Sequence, residues 1–188
     1  MTERRRVIVR IATSADGYIA RADGDLAWLT SHPAPPGFYG MDAFMRSVDT
    51  KLLGRKTYEA SRLLGAKFAD TDRYIVFSRH AAPADAPSGV EFARRPIDAV
   101  VGELRAQPGK DIWLMGGGEL VASFLDAKAI DEFVITVMPV FIGDGIPLIA
   151  RRHRQVALHL RSVERFANGA VQLHYRVDSP AVLERGND

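Results

Sequence analysis

The run Asp111-Ile112-Trp113-Leu114-Met115-Gly116-Gly117-Gly118 ends an apolar strand on three glycines, and Glu119-Leu120-Val121-Ala122-Ser123-Phe124-Leu125 begins a helical pattern at once. No other stretch restricts the fold as tightly. A strand that passes straight into a helix through glycine is a building unit of α/β proteins, and such a turn suits an anion. Glycine has no Cβ, so ligand oxygens can approach the main chain, while the free N–H groups and dipole of the following helix favour negative charge. Alone, the triplet fits a ligand-free tight turn equally well.

The rest of the chain supplies matching units. Val7–Ala12, Lys51–Gly54, Arg73–Phe77, Val90–Phe92 and Phe133–Met138 read as strands. Helical spacing runs over Phe38–Val48, Thr57–Leu64 and Ile97–Arg105, the last with Pro96 at its first turn. Between the first strand and the first helix, Thr13–Gly37 is long and irregular, with Asp16-Gly17, Asp23-Gly24 and Pro33-Ala34-Pro35-Pro36 as turn signals. Val156–Val163 and Gly169–Val177 alternate apolar and polar residues after the Gly143-Asp144-Gly145 turn, the pattern of an antiparallel hairpin. The expectation is an α/β fold with a mostly parallel central sheet and an antiparallel C-terminal hairpin, one domain over residues 1–178 and a flexible tail over 179–188.

Several function classes fall away. The net charge is +2, and the basic residues are scattered apart from Arg4-Arg5-Arg6 and Arg151-Arg152-His153-Arg154, which read as solvated strand ends or loops, so no nucleic-acid partner is expected. There is no cysteine, which excludes disulfides and a thiolate zinc site; no metal is expected. Apolar runs are too short for a signal peptide or membrane span, which points to the cytoplasm and to no membrane partner. A nucleotide hydrolase is excluded because Gly116-Gly117-Gly118-Glu119-Leu120-Val121 lacks the phosphate-loop lysine.

Three strand ends then offer phosphate ligands: Gly54-Arg55-Lys56-Thr57, Ser78-Arg79 and Gly116-Gly117-Gly118 followed by Glu119-Leu120. In an open α/β sheet ligands collect beyond the carboxyl ends of the strands, so these segments can grip one dinucleotide. Thr57 is expected to cap the helix behind Gly54. Arg55 and Arg79 present guanidinium forks suited to a ribose 2′-phosphate, which favours NADPH over NADH. Asp16 and Asp42 are the candidate catalytic acids, while Trp28, Thr30 and Ser31 are candidate substrate contacts; each of these also has an ordinary structural reading as a turn residue, helix cap or loop anchor.

The ordered set of Asp16-Gly17-Tyr18-Ile19, Leu53-Gly54-Arg55-Lys56-Thr57-Tyr58-Glu59, Ser78-Arg79 and Met115-Gly116-Gly117-Gly118 resembles the dihydrofolate reductase-like superfamily. Within it, Ala27-Trp28-Leu29-Thr30-Ser31 and the pattern from Gly117 through Phe124-Leu125, Asp131-Glu132, Pro139 and Gly143-Asp144-Gly145 are similar to the riboflavin-biosynthesis reductase domain and its stand-alone relatives. The resemblance implies a three-layer fold binding NADPH, with the nicotinamide near Ala12 and Ile19, a loop over Asp16–Ser31 that closes on it, a small polar heterocyclic or carbonyl substrate, and a homodimer. It leaves open a dihydrofolate reductase-type activity and a non-catalytic NADPH sensor. Two departures stand out: Tyr58-Glu59-Ala60-Ser61 occupies the place of an acidic segment, and Gly116 that of an acid. The deaminase half that often accompanies this domain draws zinc ligands from cysteines, and with no cysteine here a reductase-only protein is expected.

Overall fold

The computed structural model describes residues 4–68, 71–152 and 154–178. Val7-Ile8-Val9 is buried on both faces, as a β-branched run in the middle of a parallel sheet should be. It opens β1 (Val7–Ser14), which is followed by β2 (Tyr18–Ala20), α1 (Ala27–Thr30), α2 (Met41–Ser47), β3 (Val48–Gly54), α3 (Arg55–Leu63), β4 (Arg73–Phe77), β5 (Val90–Ala93), α4 (Ile97–Ala106), β6 (Asp111–Gly116), α5 (Gly118–Asp126), β7 (Glu132–Met138), β8 (Ile146–Pro147), β9 (Leu158–Arg165) and β10 (Val171–Val177). Eight strands form one sheet in the order β5-β4-β3-β6-β1-β7-β10-β9, parallel from β5 to β7 and antiparallel at β10 and β9. Both the parallel sheet and the antiparallel C-terminal hairpin are as the sequence predicts.

Because six strands run the same way, their carboxyl ends share a rim. Ser14 pairs with Met138, Leu53 with Gly116 and Gly54 with Phe77. One face of the sheet packs on α4 and α5 through Val7, Val9, Leu52 and Leu114 against Val101, Leu104, Val121 and Phe124. Phe124 is fully buried and meets Phe77 edge-on at 5.3 Å, so its truncation to alanine costs about 3–5 kcal/mol. The other face carries three separate clusters: Phe44 of α2 on Ile8, Val48 and Val134; Tyr58 of α3 on Leu53, Tyr74 and Val76; and Trp28 with Tyr39 on Met138 and Ala170.

The structure corrects several local expectations. The helix expected over Phe38–Val48 is broken: Gly37, Phe38, Tyr39 and Gly40 have φ of 73°, 46°, 57° and 74°, a left-handed turn, so α2 starts only at Met41. It ends at Ser47 because Val48, 2% exposed, already belongs to the sheet. Thr13–Gly37 is not wholly irregular; β1 extends to Ser14, α1 forms at Trp28, and β2 pairs with β8 in a separate two-stranded strap. The hairpin strands begin two residues later than predicted.

Within Arg4-Arg5-Arg6, Arg4 and Arg6 lie exposed at the strand end as expected, but Arg5 does not. Arg5 is buried, pairs with Asp49, and donates to Thr50 Oγ1 at 2.7 Å and the Lys110 carbonyl at 2.6 Å; Arg4 pairs with Asp131 and Arg6 with Asp111 and Glu132. These charges stitch the amino ends of β1, β6 and β7 together. Arg152 and Arg154 likewise pair with Asp126, while His153 and the tail 179–188 lie outside the described residues. Among the described residues no helix is long and apolar enough to cross a membrane, and no group of acidic or histidine side chains is arranged to hold a metal.

Candidate functional site

Two of the three strand-end turns meet at the rim. A Cβ built on Gly54 would lie 3.8 Å from the Gly116 carbonyl oxygen and 3.9 Å from Gly117 N; one on Gly117 would lie 3.4 Å from Thr57 Oγ1 and 4.0 Å from Ile19 Cδ1. The absence of side chains here leaves a cradle walled by the Thr57 hydroxyl and Ile19. Above it stands the amino end of α5, whose first N–H groups, those of Gly118, Glu119 and Leu120, have no carbonyl within the helix to accept them. A diphosphate fits this donor set. Gly116 has φ of 109°, a conformation only glycine adopts readily, and the Gly116–Gly117 peptide is cis.

Three expectations about the turn change. Thr57 does not cap α3: the helix begins at Arg55 with Gly54 as its cap residue, and Thr57 is the third helical residue, turned toward Gly117. Gly118 faces away from the cradle, since a Cβ there would run into the Pro147 carbonyl; its missing side chain admits β8 of the strap. Glu119 is exposed and pairs with Arg152 at 3.0 Å, so its side chain is committed elsewhere.

Arg55 and Arg79 have different surroundings. Arg55 donates to Glu59 at 2.5 Å and to the Ala81 carbonyl at 3.0 Å while its guanidinium stacks on Phe92, which ties α3 to the loop after β4. Arg79 is exposed on that loop and makes no ion pair among the described residues; Lys56, which follows Arg55 in α3, is also exposed. Ser78 Oγ accepts from His80 N and donates to its carbonyl, shaping the turn that presents Arg79.

The loop expected to close over the ring is fastened at its base. Asp16 accepts from Gly143 N at 2.7 Å, Ile142 N at 3.2 Å and Ser14 Oγ at 2.5 Å. The Ser14 hydroxyl, followed by the backbone N–H groups of Gly143 and Ile142, holds its carboxyl below the usual carboxylate range. Asp16 is thus a latch, and a poor acid at neutral pH. Asp42 lies exposed in the first turn of α2. Trp28 is 5% exposed, its indole N–H unpartnered among the described residues. Thr30 and Ser31 donate to Ala27 and Trp28 carbonyls, closing α1 locally. Ala12 and Ile19 remain half-buried at the rim.

The description of the RibD C-terminal domain matches residues 5–172. The chain belongs to the RibD C-terminal domain family. It is 37% identical to YwjB of Bacillus subtilis (strain 168), an uncharacterized protein, over 91% of this chain and 97% of that one. It is 26% identical to the riboflavin biosynthesis protein RibD of Corynebacterium ammoniagenes over 78% of this chain, but spans only 47% of that longer protein. A solved structure from Shewanella sp. PV-4, provisionally named for riboflavin biosynthesis, superposes with a TM-score of 0.81 at 28% identity, covering 93% of this chain and 99% of that one. The fold is dihydrofolate reductase-like, and the family is a reductase-like one.

Within this RibD-type domain the departure at Tyr58-Glu59 has a physical account. Tyr58 is wholly buried between Phe68 and Phe92, so an acid there would enter a core, and Glu59 serves Arg55. Sequence reasoning missed two parts of the site. The β8 strap is too short to read as a strand, although Gly145, whose Cβ would strike the Ala20 carbonyl, marks its close approach. Arg10 was also passed over, although a lone charge inside Val7-Ile8-Val9-Arg10-Ile11 is itself a signal.

Proposed function

We propose that this chain is an NADPH-dependent reductase of the riboflavin-pathway type, transferring hydride to a small polar heterocyclic or carbonyl substrate such as 5-amino-6-(5-phosphoribosylamino)uracil. The observation that carries this reading is the cradle at the rim, where Gly54, Thr57 and Gly117 converge below the amino end of α5. When bound, NADPH supplies the hydride. The chain's own residues do the positioning: the Gly117 turn and α5 N–H groups hold the diphosphate, Arg79 reaches the 2′-phosphate, and Ala12 and Ile19 border the nicotinamide. The strap of β2 and β8 and the Asp16 latch keep water from the transfer step.

The proton that follows hydride transfer comes from solvent in this reading, because Asp16 stays ionised and Asp42 is exposed. That same observation favours one second reading, a protein that binds NADPH without turnover. A homodimer and a place in the cytoplasm belong to the proposal. The test is titration with NADPH and NADH, then an assay of NADPH oxidation with 5-amino-6-(5-phosphoribosylamino)uracil and, for comparison, 7,8-dihydrofolate. NADPH binding tighter than NADH, with turnover of the uracil, supports the reductase. Binding with no turnover supports the second reading, and no association with either nucleotide at millimolar concentration defeats both.

A further inference from the structure

The turn between β9 and β10 is closed by two backbone bonds, Gly169 N to the Phe166 carbonyl at 3.0 Å and Phe166 N to the Ala170 carbonyl at 2.9 Å, with Gly169 at φ of 87°. A three-residue hairpin loop of this kind asks for glycine at its last position and makes no use of the two N–H groups on the Asn168 side chain. Those groups reach off the hairpin. Asn168 Nδ2 donates to the Pro33 carbonyl at 2.9 Å and to the Tyr39 hydroxyl at 2.6 Å, 135 and 129 residues away in the chain. Oδ1 serves the turn, accepting from Ala170 N at 3.1 Å.

The segment that receives these bonds has little means of holding itself. Pro33-Ala34-Pro35-Pro36 carries a backbone N–H only at Ala34, so it needs an anchor from elsewhere. Tyr39 is 8% exposed, although Pro36, Gly37, Phe38 and Gly40 around it are all exposed. The hairpin grips it at three points: the hydroxyl at Asn168, the carbonyl by Gln172 Nε2 at 3.3 Å, and the ring edge-on to Phe166 at 4.9 Å. Tyr39 and Ala170 share one cluster with Trp28 and Met138. A Cβ on Gly169 would come within 3.2 Å of Pro139 Cγ, which seats the hairpin tip just beyond the end of β7. The tip is therefore a clasp on the segment from Trp28 to Tyr39. Gln172, Thr136 and Ala12 are register partners on neighbouring strands, and two strand spacings put Gln172 about 10 Å from Ala12. That leaves the width of one small ring between the gripped segment and the residue placed beside the nicotinamide.

We infer that Asn168, at the tip of the β9–β10 hairpin, is a positioning residue for the reductase reaction: acting through Pro33 and Tyr39, it holds the Trp28–Tyr39 segment closed as the outer wall of the substrate pocket. This rests on the reductase reading above, whose nicotinamide lies near Ala12. Without the clasp the wall keeps its apolar contacts, which have no directional preference, so it opens more often and substrate escapes sooner. The diphosphate cradle at Gly54, Thr57 and Gly117 belongs to other turns and is untouched.

Two measurements on the intact chain test this, one of them independent of turnover. In amide hydrogen exchange without ligand, Asn168→Ala should quicken exchange at Ser31, Phe38 and Met41, whose N–H groups are bonded within the wall, by about tenfold, while Val9 and Leu114 in the parallel strands stay as in wild type. Tyr39→Phe, which keeps the ring and the turn, should give a smaller change in the same direction, and the double variant should be no faster than Asn168→Ala alone. In steady-state turnover of 5-amino-6-(5-phosphoribosylamino)uracil, Asn168→Ala should raise KM about fivefold or more, with kcat within about twofold and NADPH affinity within about threefold. Asn168→Asp still accepts from Ala170 N and from the Tyr39 hydroxyl but gives nothing to Pro33, so its KM should fall between the two; with Tyr39→Phe it decides the matter if Asn168→Ala does not fold. A role in the turn alone would lower the melting temperature and leave KM in place. Unchanged exchange in the wall, or quickened exchange with unchanged KM, overturns the inference and leaves the reductase reading intact. A wild type that binds NADPH but does not turn over the uracil strikes at the reductase reading instead, and the clasp then stands or falls on the exchange rates.

Discussion

The Asp16 carboxylate accepts the backbone N–H of Gly143 at 2.7 Å and so joins the loop after β1 to the loop after β7. Those loops carry β2 and β8, whose pairing forms the strap over the Gly118 turn. Asp16→Ala removes the acceptor for Gly143 and Ile142 together. Amide hydrogen exchange at Tyr18–Ala20 and at Ile142–Gly143 should quicken at least tenfold, and turnover should fall with it. The lowered carboxyl pKa sets the pH sense: the latch is fully present above the ordinary carboxylate range and is lost as pH falls through the depressed value, so exchange at these amides stays protected from pH 8 down to about 5. Unchanged exchange in the variant would remove the latch role.

Neighbouring glycines should respond in opposite ways to the same added methyl group. In Gly118→Ala the new Cβ meets the Pro147 backbone, which cannot yield as a side chain can, and the displaced strap costs about 1–3 kcal/mol. At roughly 2–4 °C per kcal/mol for a domain of this size, thermal unfolding should show it. In Gly117→Ala the methyl group meets only the Thr57 hydroxyl and Ile19 at 3.4 and 4.0 Å, so stability changes little, but the cradle is filled. NADPH affinity should drop at least tenfold. If the two variants lose affinity and stability in parallel, the division of labour between these glycines is wrong.

The rim of the site is legible in the sequence because its signals are local. A short apolar run ending in glycine announces Gly54 and Gly116 without knowledge of the partner strands. The left-handed turn at Gly37–Gly40 is not legible, since Phe38, Met41, Phe44, Met45 and Val48 keep helical spacing while tertiary contacts of Tyr39 with Phe166 and Asn168 hold the reversed backbone. Arg5 misled for a similar reason: three consecutive arginines look like solvent-facing charge until Asp49 and the Lys110 carbonyl arrive from distant segments.

Arg79 and Arg55 should separate in their effect on cofactor choice. Arg79 is exposed and unpaired among the described residues, so Arg79→Ala removes a charge available to the 2′-phosphate. Loss of NADPH affinity of about tenfold, with NADH affinity unchanged, is expected. Arg55 is held by Glu59 and the Ala81 carbonyl and stacked on Phe92, so Arg55→Ala loosens the loop after β4 and should weaken both nucleotides by similar factors. Equal losses for both nucleotides in Arg79→Ala would count against NADPH as the preferred partner.

The outer strand bears on the proposed homodimer. β9 pairs with β10 on one side only, and its register shifts at Arg161, where Ser162 pairs with His174 but Leu160 with Tyr175. That extra residue brings Leu158, Leu160 and Val163 to the same face, the one shared with Tyr175 and Val177, although straight alternation would set Val163 opposite. The three side chains are 41%, 54% and 49% exposed, an apolar stripe on an edge strand that a solitary domain would be expected to break with charge. In the proposed homodimer, a second copy would cover this stripe. Leu160→Asp with Val163→Lys should convert a dimer to a monomer in light scattering after size exclusion, with melting affected only through the loss of association. A monomeric wild type at micromolar concentration would dismiss the dimer.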